Sequence, residues 1–532
     1  MATRITTRQD PRVKATPEAR DALAKATALY EQLLARRKTT PAGPLRTVRD
    51  FTVQDFLDYY DGKHNLAYQS EGFREAYGQL LGGFADNFMA LVVDAVEERL
   101  HVLGFRFGTQ TTGGTPDDPG AEGNDEPTVD ELDAGDVLSA KIWQANNLDA
   151  GSSLVHTVAL TTGYGYAMVQ PRGARVIPGI TVEDPRQVIA ERDPETRELT
   201  AGIKSWTGLD GYEYLTLQTP TALWKWRSVT KLVSGMDSPR WTVREVVNAA
   251  GQAEQWPAPN PLGRVGIIEF LNRPTITGQG RSELVSAIPM QDALNKVVAD
   301  LLVSSDFGAY RAWYATGVVP EDEKDPRTGE PTGRKVRPFD LNRNRVAILE
   351  NPESKLATLD ATDLGNIVEA VEMIVQHLAS TSRTPPHYFQ LGGGQPPSGE
   401  SIASAESGLV AKAERRMQTF GDEWEELLRL ALLAMGDPRA GVTDSETIWR
   451  DARTLNEAVR ADATTKQAAL GVPQAVLWSR LGYTPNEIRR MQRQKRRELD
   501  EAMAAADAHL TGAGVDVPVL PAAPPAPPAL EQ

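Results

Sequence analysis

A helix, a loop rich in proline and glycine, and a second, much longer helix are predicted between Asp363 and Met435, and this stretch constrains the fold most. Apolar residues recur in the first helix at three- and four-residue spacing, which places them on one face: Leu364, Ile367, Val368, Val371, Ile374, Val375 and Leu378. The tract SRTPPHYFQLGGGQPPSG cannot continue this helix, because its prolines lack an amide donor and its glycines favour turns. The helical period resumes at Glu400 and stops at Gly436 and Pro438. A helix of about 35 residues is roughly 50 Å long, as in a rod that spans a subunit.

The composition limits the classes of protein to which this chain can belong. Its 532 residues suffice for several hydrophobic cores, so we expect two to four domains. No apolar run approaches the length of a membrane span, and the first residues, MATRITTRQDPRVK, contain no hydrophobic signal region. There is no cysteine, which excludes disulfides, thiolate catalysis and zinc–thiolate sites.

The net charge of −15 argues against a protein whose main task is to grip nucleic acid. Tight binders display a basic face, because most of their affinity comes from contacts with phosphates. An acidic chain is still compatible with a protein past which DNA slides. For the net charge alone, a solvated acidic surface that aids solubility is the preferred explanation.

Helical and β-rich segments alternate along the rest of the chain, which predicts an α+β fold. Helical periodicity covers residues 17–37, 52–101, 137–165, 281–316 and 440–510. From Tyr164 to Pro274, short β-rich runs separated by turn residues predict a mostly antiparallel region, with a hairpin turn in ERDPETRELT. Residues 317–350 form a charged strand–loop–strand unit between two helices. The end of the chain, PVLPAAPPAPPALEQ, has the composition of a disordered tail.

No signature of an enzyme, a cofactor site or a metal site is complete in this sequence. The glycine tract at 392–394 is not followed by Lys-Ser/Thr, the dinucleotide fingerprint is incomplete, and H-E-x-x-H and G-x-S-x-G are absent. The six histidines are scattered, and the acidic stretch 109–136 lacks the spacing of a calcium loop. We therefore expect no catalytic residue, no cofactor and no metal.

Two groups of residues are candidates for contact with nucleic acid. The first is a basic run: Arg489, Arg490, Arg493, Lys495, Arg496 and Arg497. Its alternative is a solvated helix face, which we favour because Asp500 and Glu501 lie four residues after two of these arginines. The second group lies in the proline- and glycine-rich loop: Arg383, His387, Tyr388, Phe389, Gln390 and Gln395. For Tyr388 and Phe389, anchoring of the loop in a core is an equally good interpretation.

Long tracts of this sequence resemble the portal proteins of long-tailed bacteriophages, and most closely those of phages that infect actinobacteria. The tracts are AIPMQDALNKVVADLLVSSDFGAYRAWYATGV, TSRTPPHYFQLGGGQPPSGESIASAESGLVAKAERRMQTFGDEWEELLRLAL, FLDYYDGKHNLAYQSEGFREAYGQLLGGFADNF, VVDAVEERLHVLGFRF and KIWQANNLDAGSSLVHTVALTTGYGYAMV. The resemblance covers most of residues 50–490.

This resemblance implies a ring of twelve subunits with a portal fold of helical stem and crown, mixed α/β wing and small α/β clip. The implied parts are 1–50 an N-terminal arm, 51–280 the wing, 281–316 a stem helix, 317–350 the clip, 351–382 a second stem helix, 383–399 the tunnel loop, 400–438 a long wing helix, 439–512 crown helices and 513–532 a disordered tail. The tunnel loop would face the DNA with the six loop residues named above. The clip would dock partners through Glu321, Asp322, Lys324, Arg327, Arg334 and Lys335. The crown would present a basic face of Arg489, Arg490, Arg493 and Arg497.

The function implied by the resemblance is that of a conduit for double-stranded DNA during packaging and ejection. The implied partners are other copies of this chain, the major capsid protein, a scaffolding protein, the terminase large subunit, head-completion or adaptor proteins, and double-stranded DNA bound weakly and without sequence preference, with no membrane. The protein would assemble in the host cytoplasm and reside in the virion, at the unique portal vertex of the capsid. The alternatives are another head–tail adaptor or minor capsid protein, or a hydrolase with unrecognised carboxylates.

Overall fold

The computed structural model describes fourteen stretches of the chain. They are residues 16–38, 48–64, 86–107, 136–172, 176–231, 239–244, 256–309, 313–316, 322–324, 327–335, 355–358, 364–389, 399–453 and 457–512. Within these stretches, no helix combines the length and the apolarity that a membrane span requires.

Helices and short strands alternate in the described residues, as the α+β prediction requires. The helices are α1 Pro17–Arg37, α2 Val53–Tyr60, α3 Phe88–Glu97, α4 Val137–Ala145, α5 Leu148–Thr162, α6 Ile288–Ala309, α7 Gly365–Ser382, α8 Gly399–Met435, α9 Glu457–Ala469, α10 Gln474–Arg480 and α11 Pro485–Gly512. The strands are β1 Val102–Arg106, β2 Tyr164–Gln170, β3 Gly179–Glu183, β4 Val188–Arg192, β5 Leu199–Thr207, β6 Glu213–Gln218, β7 Ala222–Ser228, β8 Trp241–Val243, β9 Ala258–Pro259, β10 Ile267–Leu271, β11 Trp313–Thr316, β12 Asp322–Lys324, β13 Pro331–Lys335, β14 Lys355–Thr358 and β15 Glu446–Trp449.

The chain divides into two compact units, which we describe separately. The first comprises Met1–Glu98, Leu154–Ala167 and Val182–Arg416, and the second comprises Arg99–Ser153, Met168–Thr181 and Met417–Gln532.

An antiparallel sheet with a helix on one face forms the largest β region of the first unit. The strand order is β4-β5-β6-β7-β8, and β9 also pairs with β7. Helix α1 begins after Thr16, whose side chain caps the first turn, and its apolar residues recur at helical spacing. The shared core consists of Ala26, Leu29, Tyr30, Leu33, Ile189, Ala201, Ile203, Leu215, Leu217, Trp224 and Trp226. The predicted mostly antiparallel region and the predicted helix 17–37 are thus confirmed.

Polar contacts fix the end of α1 on this sheet. The guanidinium of Arg37 donates to the buried carboxylate of Glu213 at 2.9 Å and to the backbone carbonyls of Arg186 and Ser205. The predicted hairpin turn joins β4 to β5, where the amide of Asp193 donates to the carbonyl of Glu198.

Helices α6 and α7 pack against each other in the first unit, with short antiparallel strand pairs between them in sequence. Strand β11 pairs with β14, and β12 pairs with β13. The prediction of a helix over residues 281–316 is therefore wrong at its end. The observed helix α6 ends at Ala309, and residues 313–316 form a strand. Trp313, Tyr314 and Thr316 favour the extended backbone where a partner strand is available. Likewise, residues 355–358 of the predicted second stem helix are a strand, and the helix starts at Gly365.

The second unit is built around aromatic rings. Trp143 lies 5.4 Å from Phe105 and 4.9 Å from Trp424, measured between ring centroids. Strands β1 and β15 pair antiparallel, a contact that the sequence did not predict. Helices α9 to α11 confirm the prediction of two or three helices within residues 440–510.

Two glycines of the first unit allow the backbone to close tightly before α6. Gly163 has φ of +94°, and a Cβ built on Gly280 would lie only 1.9 Å from the carbonyl oxygen of Gly163. The amide of Asn272 donates to that carbonyl at 3.1 Å. A side chain at position 280 must therefore displace the backbone at Gly163.

We predict that Gly280→Ala lowers the thermal unfolding midpoint by roughly 5 °C, because a clash with backbone atoms cannot be relieved by a rotamer change. Differential scanning calorimetry of the purified protein measures this effect. Gly408→Ala is the matched control, since nothing lies within 4 Å of a Cβ at this position in α8. Alanine is also the better helix former, so the control keeps or raises the midpoint. Equal midpoints for the two variants would contradict the proposed close approach.

Candidate functional site

The candidate site begins where α7 ends, at an arginine in an unusual backbone conformation. Arg383 has φ 57° and ψ 31°, the left-handed region, and its amide donates to carbonyls of the last helical turn. Glycine is the usual residue at this position, because a Cβ there costs about 1 kcal/mol. The side chain of Arg383 is exposed. The helix end thus exposes the guanidinium of Arg383.

A short 3-10 helix, Pro386–Phe389, follows Arg383. Phe389 is buried, and its ring centroid lies 5.3 Å from that of Phe88. The burial agrees with the interpretation of Phe389 as an anchor. Tyr388 and His387 are half-buried, and Nε2 of His387 lies 3.5 Å from Oε1 of Glu406. Of the other candidates in this loop, Gln390 and Gln395 lie outside the described residues.

A buried ion cluster lies next to the end of α7, where this segment starts. Glu283 is 3% exposed, and its carboxylate lies between Nζ of Lys412, at 3.0 Å, and the guanidinium of Arg416, whose Nε donates to it at 3.1 Å. Asn272 donates a further hydrogen bond to the same carboxylate at 3.1 Å. Nζ of Lys412 also donates to the carbonyl of Ser382 at 3.1 Å. The cluster therefore ties α8 both to the turn before α6 and to the end of α7.

The cations determine the ionisation of this cluster. Burial by itself raises the pKa of Glu283, but Lys412 and Arg416 together outweigh it and lower the pKa to about 2. Sequence reasoning missed these three residues. The available signal was the four-residue spacing of Lys412 and Arg416, which lie beside the apolar residues Leu409 and Ala413 on α8.

The candidate clip residues lie on or near the hairpin β12–β13. Asp322 pairs with Lys335 and Lys324 pairs with Pro331. Arg327 is exposed in the stretch that connects the strands. Arg334 belongs to β13, and Glu321 lies outside the described residues. The hairpin thus places Asp322 and Lys335 at paired backbone positions.

The candidate basic face lies on α11. Arg490, Arg493 and Arg497 are exposed, whereas Arg489 is half-buried. Burial lowers the pKa of Arg489, although the negative charge of Asp136 partly offsets this effect. The exposure of the other three arginines is compatible with both interpretations of this face. Within the described parts of the chain, no group of His, Asp or Glu side chains is arranged to hold a metal ion.

We predict that Glu283→Gln destabilises the protein by about 3–5 kcal/mol, since it leaves two cations buried without a counter-charge. Glu414→Gln, an exposed change on α8, the helix that carries the two cations, should lower the free energy of unfolding by less than about 0.5 kcal/mol. The lowered pKa also gives a pH signature. The stabilisation by Glu283 is complete above about pH 4.5 and is lost as the pH falls towards 2.

Urea unfolding at pH 7 and at several pH values below 4.5 tests both parts of this prediction. A second substitution, Lys412→Met, measures the interaction between Lys412 and Glu283. It should lower the free energy of unfolding by less in the Glu283→Gln protein than in the unaltered protein. If the losses in free energy of unfolding caused by the two substitutions are additive, the two side chains do not interact.

Comparison with known proteins gives the same result as the tracts quoted above. The family model described as phage portal protein, SPP1 Gp6-like, matches residues 52–501. The portal protein of Mycobacterium phage D29 is 29% identical over 503 residues, which cover 90% of this chain and 93% of that protein. The portal protein of Mycobacterium phage L5 is 29% identical over 453 residues, 82% of each chain. Both relatives come from phages of actinobacteria, so the sequence-based resemblance is confirmed.

These matches also decide between the alternatives left by the sequence. Portal proteins are structural components of the virion, which supports the expectation that the protein is not an enzyme and disfavours the hydrolase. The match extends over most of the chain and both compact units. The chain therefore belongs to the family of SPP1 Gp6-like phage portal proteins.

Proposed function

We propose that twelve copies of this protein form a ring at one vertex of the capsid. The ring is the conduit for double-stranded DNA during genome packaging and ejection. It is also the platform on which the terminase large subunit and then the head-completion or adaptor proteins dock. Membership of the portal family supports this function most directly.

The electrostatics of the chain suit a conduit that must not hold its cargo. Duplex DNA carries one charge per ~1.7 Å, and a protein that makes about 6–10 phosphate contacts binds it with high, salt-dependent affinity. A chain with a net charge of −15 avoids such binding. Contact with DNA at the loop 383–399 would then be weak and independent of sequence.

We assign the parts of the ring subunit as follows. Helices α6 and α7 form the stem, because they pack together and bracket the small strands β11 to β14 in sequence. The hairpin β12–β13 belongs to the clip, where paired strands bearing both signs of charge offer a surface for the motor. The β region with its flanking helices forms the wing, and α9 to α11 form the crown. The capsid and scaffolding proteins are further partners, and assembly takes place in the host cytoplasm.

The single observation that carries the proposal is the match to the family over residues 52–501, and a ring is its first measurable consequence. Identical head-to-tail contacts close a ring when the rotation between subunits divides the circle. Twelve chains of 58.0 kDa give a particle of about 0.7 MDa. Native mass spectrometry of the purified protein, with electron-microscope views down the axis, tests this expectation. A monomer under conditions of phage assembly would contradict it.

A substitution of Arg383 can separate an effect on DNA packaging from an effect on the stability of the protein. We predict that Arg383→Gly lowers DNA packaging while the thermal midpoint stays the same or rises, because glycine relieves the left-handed backbone. Arg197→Gly is the matched control, since Arg197 is also exposed and has φ of 65°, in the turn between β4 and β5. This control should gain similar stability and package DNA normally.

The readouts are the amount of protected DNA in particles and the thermal midpoint of the purified ring. Normal packaging by the Arg383→Gly protein would show that this cation does not act on DNA. A lower midpoint would instead assign Arg383 a structural role.

A further inference from the structure

The sheet of the first unit has a second face that carries aromatic rings interleaved with cations. Because side chains alternate along a strand, the residues between those that pack on α1 point to the opposite face, which we call the outer face. Trp206 of β5 and Tyr214 of β6 lie opposite each other there, with ring centroids 5.5 Å apart and planes inclined by 20°. The guanidinium of Arg244 lies 4.7 Å from the centroid of Tyr214 and 5.7 Å from that of Trp206. This is the geometry of a cation–π contact.

The same arrangement recurs beside this stack. The guanidinium of Arg227 lies 4.6 Å from the centroid of Tyr212, and Nζ of Lys231 lies 5.9 Å from it. Nζ of Lys225 lies 4.4 Å from the centroid of Trp256. The outer face therefore combines tryptophan, tyrosine and arginine, the residue types that dominate the binding energy of protein–protein interfaces.

The described side chains of the outer face carry a net positive charge. The cations that lie over its rings are Lys204, Lys225, Arg227, Lys231 and Arg244, and the carboxylates that contact its side chains are Glu183 of β3 and Asp210. Glu183 is bound to Lys204 at 2.6 Å, and Asp210 accepts a hydrogen bond from the hydroxyl of Tyr214 at 2.6 Å. Five cations against two carboxylates leave a charge of +3 on a chain whose total is −15. A negatively charged partner is attracted to this face and repelled by the chain as a whole.

One end of the outer face is covered by the chain itself. A Cβ on Gly202 would lie 2.4 Å from Cδ1 of Ile267, so β10 lies against that end. The other end reaches the turn between β5 and β6, where Leu209 is fully exposed. The turn is held by a hydrogen bond from the amide of Gly211 to the carbonyl of Gly208 at 2.9 Å. A large aliphatic side chain is thus presented on an ordered turn beside the aromatic and cationic groups.

Three features of this face favour a polypeptide over a nucleic acid as the partner. The rings of Trp206 and Tyr214 already stack on each other and on Arg244, which leaves a base little ring surface on which to stack. The carboxylate of Asp210 repels phosphates. The aliphatic side chain of Leu209 has no counterpart in a phosphate backbone, but it fits an apolar side chain or pocket on a protein.

We propose that the outer face, from Leu209 to Lys225, docks an acidic segment of another virion protein. The carboxylates of that segment pair with Arg227, Lys231 and Lys225, and an apolar group of the segment packs on Leu209. This surface is separate in sequence from the loop 383–399, and the proposal adds a docking site to the function of the conduit.

The absence of cysteine allows a direct experiment. Leu209→Cys creates the single thiol of the full-length chain, and a photo-crosslinker attached to it samples the partner inside particles assembled with the phage's own head proteins. Ile276→Cys is the matched control, because Ile276 is a 95% exposed aliphatic residue on another tight turn. We expect at least about fivefold more crosslinking to another virion protein from position 209. The captured peptide should contain an excess of Asp and Glu.

Charge variants in the Leu209→Cys background complete the test. Arg227→Glu with Lys231→Glu should reduce the crosslinking yield about tenfold, and Arg227→Gln with Lys231→Gln about threefold. Both side chains are exposed, and unchanged thermal midpoints verify that the variants fold. The proposal is overturned by equal yields at positions 209 and 276, by crosslinks only to another copy of this chain or only to DNA, by a captured peptide without acidic excess, or by charge variants with unaltered yield. The ring mass, measured on the same preparation, shows separately whether the portal assembly itself has formed.

Discussion

The buried carboxylate of Glu283, held between Lys412 and Arg416, is the interaction on which the candidate site depends. Each of these groups alone would be costly to remove from water, and together they are tolerated because attraction and hydrogen bonds compensate for the lost hydration. The cluster joins three separate elements of the first unit. Since Lys412 also binds the carbonyl of Ser382, the residue before Arg383, the cluster fixes the end of α7, from which the segment 383–389 starts.

The segment that follows α7 starts from fixed contacts on both sides of Arg383. Phe389 packs against Phe88 and fixes one point of the segment, while Arg383 points outward from a backbone conformation that an arginine rarely adopts. The protein keeps this conformation although glycine would fit it with less strain.

Charge is distributed unevenly in the first unit, and this unevenness suits two tasks. The proposed passage of DNA requires weak contact, and an acidic chain with an exposed arginine at the end of α7 supports this. The proposed docking of a protein requires attraction in one place, and the rings and cations of the outer face support it. The cations on that face are held over aromatic rings, so they are positioned before a partner arrives and less conformational entropy is lost on binding.

The sequence by itself determined the elements whose signals are local, and it determined the family. Apolar residues at helical spacing and the stop at Gly436 located α7 and α8, and turn residues located the hairpin between β4 and β5. Only the tertiary structure decided which distant segments meet. Strand β1 pairs with β15 although Arg106 and Glu446 are 340 residues apart. Residues 313–316, which helical periodicity predicted to be part of the helix, form β11 and pair with β14. Glu283 reaches Arg416 across 133 residues, and the outer face is assembled from β5, β6, β7 and the segments beside them. Contacts of this kind leave no period in the sequence, because they depend on where the chain returns and not on the spacing of neighbouring residues.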